Sequence, residues 1–297
     1  MNLNLRTKGI ILVIVGTMLW GISGTVAQFL FQQKSFNPEW LVVVRLLISG
    51  FTLLLYGYLK KNKDMKNIWK EKNDRITLIL FGIIGMLGVQ YTYFAAIKHG
   101  NAATATILQY LSPVIITCYL IIRNKKLPNF RELLAIVLAL IGTFFIITRG
   151  DIHSLSLSKA ALFWGISSAF CAAIYTLQPI SLLKKYSSIA VVGWGMLIGG
   201  LAFSFIHSPF NFTGELSIIS IISVIFIVIF GTLIAFYCYL ESLKYLLPTE
   251  SSILGCVEPL SATILSILWL NVSFGLPELI GTACIIFTVI LLSFSKK

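Results

Sequence analysis

The sequence contains very little charge for its size. Only 11% of its 297 residues are charged, and just 11 residues are acidic, whereas an average soluble domain is about 25% charged. In contrast, 57% of the residues are hydrophobic and the mean hydropathy is +0.91. This composition excludes a water-soluble globular protein and predicts a membrane protein.

The sequence also lacks the short motifs that mark common enzymes and ATP-driven pumps. It has no GxxxxGK[ST] phosphate loop, no HExxH pair and no GxSxG elbow. The five cysteines lie inside apolar runs without CxxC spacing, as expected for packing residues. We therefore expect no catalytic residues, no metal and no cofactor, and predict that the chain is not an enzyme. The competing interpretation, a membrane-embedded enzyme or a lipid-handling protein, requires a polar catalytic cluster at one membrane depth.

Apolar runs of about 20 residues, enough to cross a bilayer as a helix, recur along the whole chain. Charge clusters and Pro, Asn or Gly residues separate these runs. The sequence predicts an all-α membrane protein with ten helices at about 9–30, 40–59, 76–97, 103–122, 132–148, 157–180, 188–206, 217–240, 250–270 and 277–294.

The positive charges predict the orientation of these helices. With the N-terminus in the cytoplasm, the inner segments carry 18 Lys and Arg residues and the outer segments carry 4. Because positive loops stay inside, both termini are predicted to be cytoplasmic, with the chain in the cell membrane. Seven of these residues lie between Lys60 and Arg75, where they can contact anionic lipid. The net charge of +12 therefore indicates membrane lipid as a partner and not nucleic acid.

The second half of the sequence repeats features of the first. At an offset of 144, Trp20-Gly21-Ile22-Ser23 aligns with Trp164-Gly165-Ile166-Ser167. At an offset of 146, the residues Gly85, Tyr91, Tyr93, Pro113 and Glu132 align with Gly231, Tyr237, Tyr239, Pro259 and Glu278. Repeats with an odd number of spans insert upside down relative to each other. The sequence predicts two inverted five-helix repeats, residues 1–148 and 149–297.

These motifs together resemble one known family. Two five-helix halves, the paired Trp-Gly-Ile-Ser motifs, the segment Val44–Gly50 and a proline in the fourth and ninth helices are similar to the EamA-like family of the drug/metabolite transporter superfamily. The resemblance implies secondary transport of a small-molecule substrate, often export of amino acids or related compounds, from a central cavity that opens alternately to each side. The sequence leaves the substrate, the direction of transport and the oligomeric state open.

Two prolines are predicted to break membrane helices. Pro113 removes the donor that would pair with the carbonyl of Gln109, and Pro259 does the same for the carbonyl of Gly255. In inverted-repeat transporters, such freed carbonyls line the midplane cavity. The alternative is that both prolines only shape helix packing.

Glu258 is the only carboxylate well inside an apolar run. It lies about eight residues, or about 12 Å, from the predicted inner end of its helix. A charged group there costs about 2.5–3.5 kcal/mol and usually faces a partner or a pathway. Glu258 is therefore a candidate for substrate contact or proton coupling, with a structural role between helices as the alternative.

Arg45 is the only basic residue within a predicted span. It lies about 7 Å from the outer end, close enough for its side chain to extend to the interface. Structural support, gating and substrate contact are its three candidate roles.

Aromatic and small polar residues complete the candidate site. Trp and Tyr side chains around a cavity can stack on solutes or enclose a cation, although the same residues often serve only in packing. The predicted substrate-binding residues are Trp20, Ser23, Arg45, Tyr91, Gln109, Trp164, Ser167, Tyr237 and Glu258.

Overall fold

The computed structural model describes residues 3–125, 127, 129–148, 157–242, 245–246 and 254–293. All regular secondary structure in these ranges is helical, which confirms the predicted all-α class. The first half contains α1 (Leu3–Gln33), α2 (Pro38–Leu59), α3 (Asp64–Asn67), α4 (Lys72–Leu80), α5 (Gly88–His99), α6 (Ala102–Gln109), α7 (Ser112–Asn124) and α8 (Phe130–Thr148). The second half contains α9 (Lys159–Leu177), α10 (Ile180–Lys185), α11 (Ser188–Ser204), α12 (Ile218–Val228), α13 (Ala235–Ser242), α14 (Val257–Leu268) and α15 (Leu276–Ser293).

Many of these helices are long and apolar enough to cross a membrane. Seven such stretches are Leu5–Gln33, Pro38–Leu59, Lys72–His99, Ala102–Arg123, Phe130–Thr148, Lys159–Lys185 and Ile218–Tyr239. Three shorter apolar helices, Ser188–Ser204, Val257–Leu268 and Leu276–Leu291, lie where the remaining spans were predicted. The chain is therefore a multi-pass membrane protein.

The main helix pairs each join the two halves of the chain. Helix α2 packs along α11, α8 along α15, α5 along α9, and α1 along both α13 and α14. Small residues permit close approach at these interfaces. A methyl group at Gly142 would lie 2.8 Å from the carbonyl oxygen of Gly281, and one at Gly281 would lie 2.6 Å from that of Gly142. The core is thus shared between the halves.

Two π-helical segments interrupt membrane helices at matching repeat positions. The segment Phe81–Leu87, named π1, joins α4 to α5, and Ile229–Ile234, named π2, joins α12 to α13. Helices α2 and α11 pack beside them: Ser49 donates to the Val228 carbonyl at 3.3 Å, and a methyl group at Gly199 would lie 2.6 Å from the Gly82 carbonyl. Such segments make up well under 1% of residues and occur often at functional sites. They were not predicted from the sequence.

Hydrogen bonds join the connecting segments at one end of the helices. The Trp40 indole donates to the Pro209 carbonyl at 2.8 Å, and Lys34 pairs with Glu215 at 3.2 Å. The rings of Phe36 and Trp40 pack edge-on against Phe212, with centroids 5.1 and 4.9 Å away. This end, predicted to be the outer one, is thus closed between residues 34–40 and 207–217.

The opposite end is joined through the segment predicted to lie in the cytoplasm. Asp64 of α3 accepts from the backbone N–H of Ser187 at 2.8 Å, and Trp194 donates to the Met65 carbonyl at 3.0 Å. Asp74 pairs with Lys185 at 3.0 Å and accepts from Tyr186 at 2.8 Å. These contacts attach the polar segment between α2 and α4 to the start of α11.

Candidate functional site

The fourth predicted span is broken into two helices just before Pro113. Helix α6 ends at Gln109, residues Tyr110 and Leu111 form a turn, and α7 begins at Ser112. Pro113 therefore sits in the first turn of a helix, where its missing N–H leaves no gap. The break places Tyr110 between two helix ends.

The ninth span has a matching break before Pro259. A turn at Cys256 precedes α14, which begins at Val257. The carbonyl of Gly255, expected to be freed by Pro259, accepts a 2.6 Å hydrogen bond from the Tyr110 hydroxyl. The two breaks therefore meet each other, and the freed carbonyl is held by a residue from the other half of the chain.

Glu258 lies at this meeting point. Its residue is 8% exposed, and its Oε2 lies 3.1 Å from the Tyr110 hydroxyl. Within the part of the chain that the structure describes, no Lys, Arg or His side chain forms an ion pair with it. The site thus holds a buried carboxyl group whose hydrogen-bond partner is a neutral phenol.

An aromatic cluster adjoins the carboxyl group. The Trp20 ring lies 4.9 Å from Phe236 and 5.1 Å from Tyr239, centroid to centroid. Trp20 precedes Gly21, where a methyl group would lie 2.5 Å from the Glu258 carbonyl oxygen, so α1 brings the cluster toward this residue. The Trp20 indole Nε1 is buried without a hydrogen-bond partner among the described residues. The cluster therefore presents an unused donor and several ring faces beside the carboxyl group.

The first Trp-Gly-Ile-Ser motif holds α1 against the site. A methyl group at Gly21 would meet Ser261 and lie 2.5 Å from the Glu258 carbonyl, so only glycine permits this approach. Ser23, which is 3% exposed, packs against Gly231 of π2. Sequence reasoning assigned Ser23 to substrate binding, and the structure places it against a neighbouring helix.

Arg45 does not extend to the interface. Its residue is 5% exposed. Its Nε donates to Thr232 of π2 at 3.0 Å, and its guanidinium lies 4.6 Å from the centre of the Phe94 ring. Thr232 in turn donates to the Ile227 carbonyl at 2.8 Å, five residues earlier. The open turn of π2 therefore provides the buried partner of Arg45.

The remaining candidates are spread along the membrane axis. Tyr91 donates to Glu39 at 3.2 Å and packs 5.3 Å from Trp164, near the closed end. Tyr237 is 42% exposed and lines a pocket at the opposite end. Gln109, the last residue of α6, and Ser167 of α9 are partly buried. The residues that the structure brings together are therefore Trp20, Tyr110, Tyr239 and Glu258.

That pocket has a volume of about 370 Å³ and lies between α2, α11 and α13. Its lining includes Leu53, Tyr186, Val192, Phe236 and Glu241. Phe236 also touches Trp20, so the pocket reaches the edge of the aromatic cluster. Among the described residues, no group of three or more His, Cys, Asp or Glu side chains could hold a metal ion.

A multi-pass helical protein with broken helices meeting at a buried carboxyl group has the features of a membrane transporter. Comparison with known proteins identifies the family. The profile described as the EamA-like transporter family matches residues 7–148 and again residues 159–294. The chain belongs to the EamA-like transporter family, as its sequence motifs indicated.

Named relatives agree with this assignment. The chain is 39% identical to the uncharacterized inner membrane transporter YicL of Salmonella typhimurium, covering 98% of this chain and 96% of that one. It is 21% identical to the uncharacterized transporter YwfM of Bacillus subtilis, over 96% and 93% of the two chains. A crystal structure with a TM-score of 0.64 and 16% identity covers 96% of both chains and shows the same fold.

Proposed function

We propose that the chain is a secondary transporter that exports a small metabolite, an amino acid or a related compound, by alternating access. The observation that carries this proposal is the contact between the two helix breaks, where Tyr110 bonds the Gly255 carbonyl beside Glu258. Broken helices of this kind provide polar backbone groups to a substrate at the membrane midplane. The energy comes from the substrate gradient or from protons carried by Glu258.

Alternating access requires two bodies that move against each other, and we assign them to residues 1–148 and 149–297. The family profile matches each half separately. The helix contacts also come in repeat-related pairs, with α1 packing on α13 and α14 while α9 packs on α5, α6 and α7. Five spans in each half make the repeats inverted, giving ten spans in total.

The structure supports a route from one side. Residues 34–40 and 207–217 close the end that we assign to the outside. The pocket of about 370 Å³ lies at the other end and reaches Phe236, which packs on Trp20. We infer that a cytoplasmic metabolite approaches the site through this pocket, between α2 and α11.

Uptake into proteoliposomes tests the proposal. We expect purified protein to accumulate or exchange a radiolabelled member of a panel of amino acids and related metabolites, while liposomes without protein do not. Failure across the panel, combined with turnover of an added lipid, would reverse the assignment in favour of an enzyme or a lipid-handling protein.

Site-directed labelling tests the orientation in the cell membrane. The chain has cysteines at positions 118, 171, 238, 256 and 284, so these are first replaced. Single cysteines in residues 60–75 are expected to react only with reagents that reach the cytoplasm, and those in 208–214 only from outside. The 18 to 4 distribution of Lys and Arg gives this expectation. Labelling on the opposite sides would overturn the orientation.

The prolines are expected to matter more for transport than for folding. Pro113→Ala and Pro259→Ala each restore a backbone N–H at a helix break, which permits the helix to continue across it. At Pro259, the restored donor would compete with the Tyr110 hydroxyl for the Gly255 carbonyl. We expect each variant to elute as a folded protein in size-exclusion chromatography and to transport more slowly. Wild-type rates in both variants would show that the prolines serve only in packing.

A further inference from the structure

Two acceptors at the helix breaks compete for the one hydrogen of the Tyr110 hydroxyl. The Tyr110 hydroxyl lies 2.6 Å from the Gly255 carbonyl and 3.1 Å from Glu258 Oε2. A phenol carries a single O–H hydrogen, and a carbonyl only accepts. Which acceptor receives that hydrogen therefore depends on the charge of Glu258.

A neutral Glu258 satisfies all three groups. Its carboxyl O–H then donates to the Tyr110 oxygen, while the Tyr110 hydroxyl donates to the Gly255 carbonyl. An ionised Glu258 accepts only, so the phenol serves either the carboxylate or the carbonyl. Among the residues that the structure describes, no other donor bonds these two acceptors, and a buried acceptor without a donor is costly. An ionised Glu258 therefore requires a further donor at this position.

We propose that this donor is the ammonium group of the substrate, which binds between the Glu258 carboxylate, the Gly255 carbonyl and the Tyr110 oxygen. This inference deepens the proposed transport function by naming the chemical class that the site recognises. An ammonium group has three N–H donors, and the site offers three acceptor groups. When a protonated Glu258 receives the ammonium, its proton leaves to solvent, so one positive charge replaces another.

The aromatic residues favour an organic cation over a metal ion. The rings of Trp20 and Tyr239 lie 5.1 Å apart, and Trp20 precedes Gly21, which faces the backbone of Glu258. Ring faces of this kind attract organic cations. A cation such as Ca²⁺ requires 6–8 oxygen ligands, and no group of three metal-binding side chains exists among the described residues. Among the described residues, no cationic side chain pairs with Glu258, so the charge that an ionised Glu258 brings to the site favours a cation over an anion.

The titratable groups near Glu258 are phenols and a thiol. Tyr110, between α6 and α7, bonds its carboxyl group, and the others are Tyr93 on α5, Tyr239 on α13 and Cys256 on its own segment. All four are neutral at physiological pH in their ordinary state. Arg45 bonds Thr232 at 3.0 Å, and among the described residues it forms no ion pair with Glu258.

Matched ligand pairs test the proposal with purified protein. The probes are phenethylamine with 2-phenylethanol and L-phenylalanine with 3-phenylpropionate, which differ within each pair by the amino group. We expect an amine to raise the melting temperature while its partner does not, because a ligand of the folded state stabilises it. In Glu258→Gln, the affinity for the amine should fall by about tenfold or more.

Calorimetry in buffers of different ionisation enthalpy measures the proton. At a pH where Glu258 is protonated, we expect release of about one proton per bound amine, and none in Glu258→Gln. Glu278→Gln, which removes a buried carboxylate outside the site and leaves Glu258 in place, should retain proton release and thereby serve as the matched control.

The two proposals fail in different ways. The ammonium site is wrong if the amine-free compound of a pair binds, or is transported, as well as the amine of that pair. This result would leave the transport function standing. Equal amine binding by wild type and Glu258→Gln, or no amine binding at all, would also overturn the site. Absence of transport for every compound of the wider metabolite panel would overturn the transport function itself.

Discussion

Glu258→Gln is expected to abolish transport driven by a pH gradient and to reduce substrate exchange by about tenfold or more. Gln keeps the shape and the hydrogen bonding of the side chain, and so retains a partner for the 3.1 Å contact with Tyr110. It removes both the titration and the charge that would hold an ammonium group. Counterflow and pH-driven uptake in proteoliposomes measure the two effects separately.

The structure offers a matched control in Glu278. This second carboxylate is 5% exposed and accepts from the backbone N–H of Gly275 at 3.0 Å, at the start of α15. Glu278→Gln should keep near wild-type exchange because the role of Glu278 is to cap a helix.

Loss of pH-driven uptake with normal exchange in Glu258→Gln would assign Glu258 to proton coupling alone. Wild-type behaviour in both assays would reduce it to a structural residue.

Local sequence rules predicted the helices and one partner of the hydrogen bond between Tyr110 and the Gly255 carbonyl. Long apolar runs with charged ends specify membrane helices, since the bilayer sets their length and composition. The proline rule identified the Gly255 carbonyl as free, and this carbonyl does accept a non-local hydrogen bond. These features depend on residues within a few positions of each other.

The partner of that carbonyl could not be found in the same way. Tyr110 lies 145 positions away from Gly255 in the sequence, and only the packing of the two halves brings them together. The sequence reasoning chose Gln109, one position earlier. The available signal was position: Tyr110 is an aromatic residue immediately before a predicted break, and it aligns with Cys256 at the break in the second half.

Arg45 shows how an unexpected backbone conformation changes an interpretation. Its depth allowed the side chain to reach the interface, but π2 places Thr232 within 3.0 Å of Nε and keeps the arginine inside. No simple composition or period marks a π segment. The local indication of these segments was a pair of matching glycines, Gly85 and Gly231, one in each π segment. The sequence analysis used this pair only as evidence for the repeat.

Gly21→Ala is expected to lower both stability and transport strongly, because the added methyl group has no space. It would meet Ser261 and lie 2.5 Å from the Glu258 carbonyl oxygen and 3.0 Å from the Ala262 nitrogen. These last two are backbone atoms, so α1 and α14 have to separate, and overpacking of this kind costs about 1–3 kcal/mol. Separation also moves Glu258 away from Tyr110.

The repeat mate of Gly21 provides the control for this prediction. At Gly165 a methyl group would lie 2.5 Å from Leu108 Cδ1, the end of a flexible side chain that can rotate away. We expect Gly165→Ala to retain most of its melting temperature, measured by size-exclusion chromatography after heating, and most of its exchange activity. Gly21→Ala should lose both, since its obstruction is backbone. Equal effects at the two glycines would mean that α1 approaches α14 no more tightly than α9 approaches α6. The position of Glu258 would then not depend on the contact between α1 and α14.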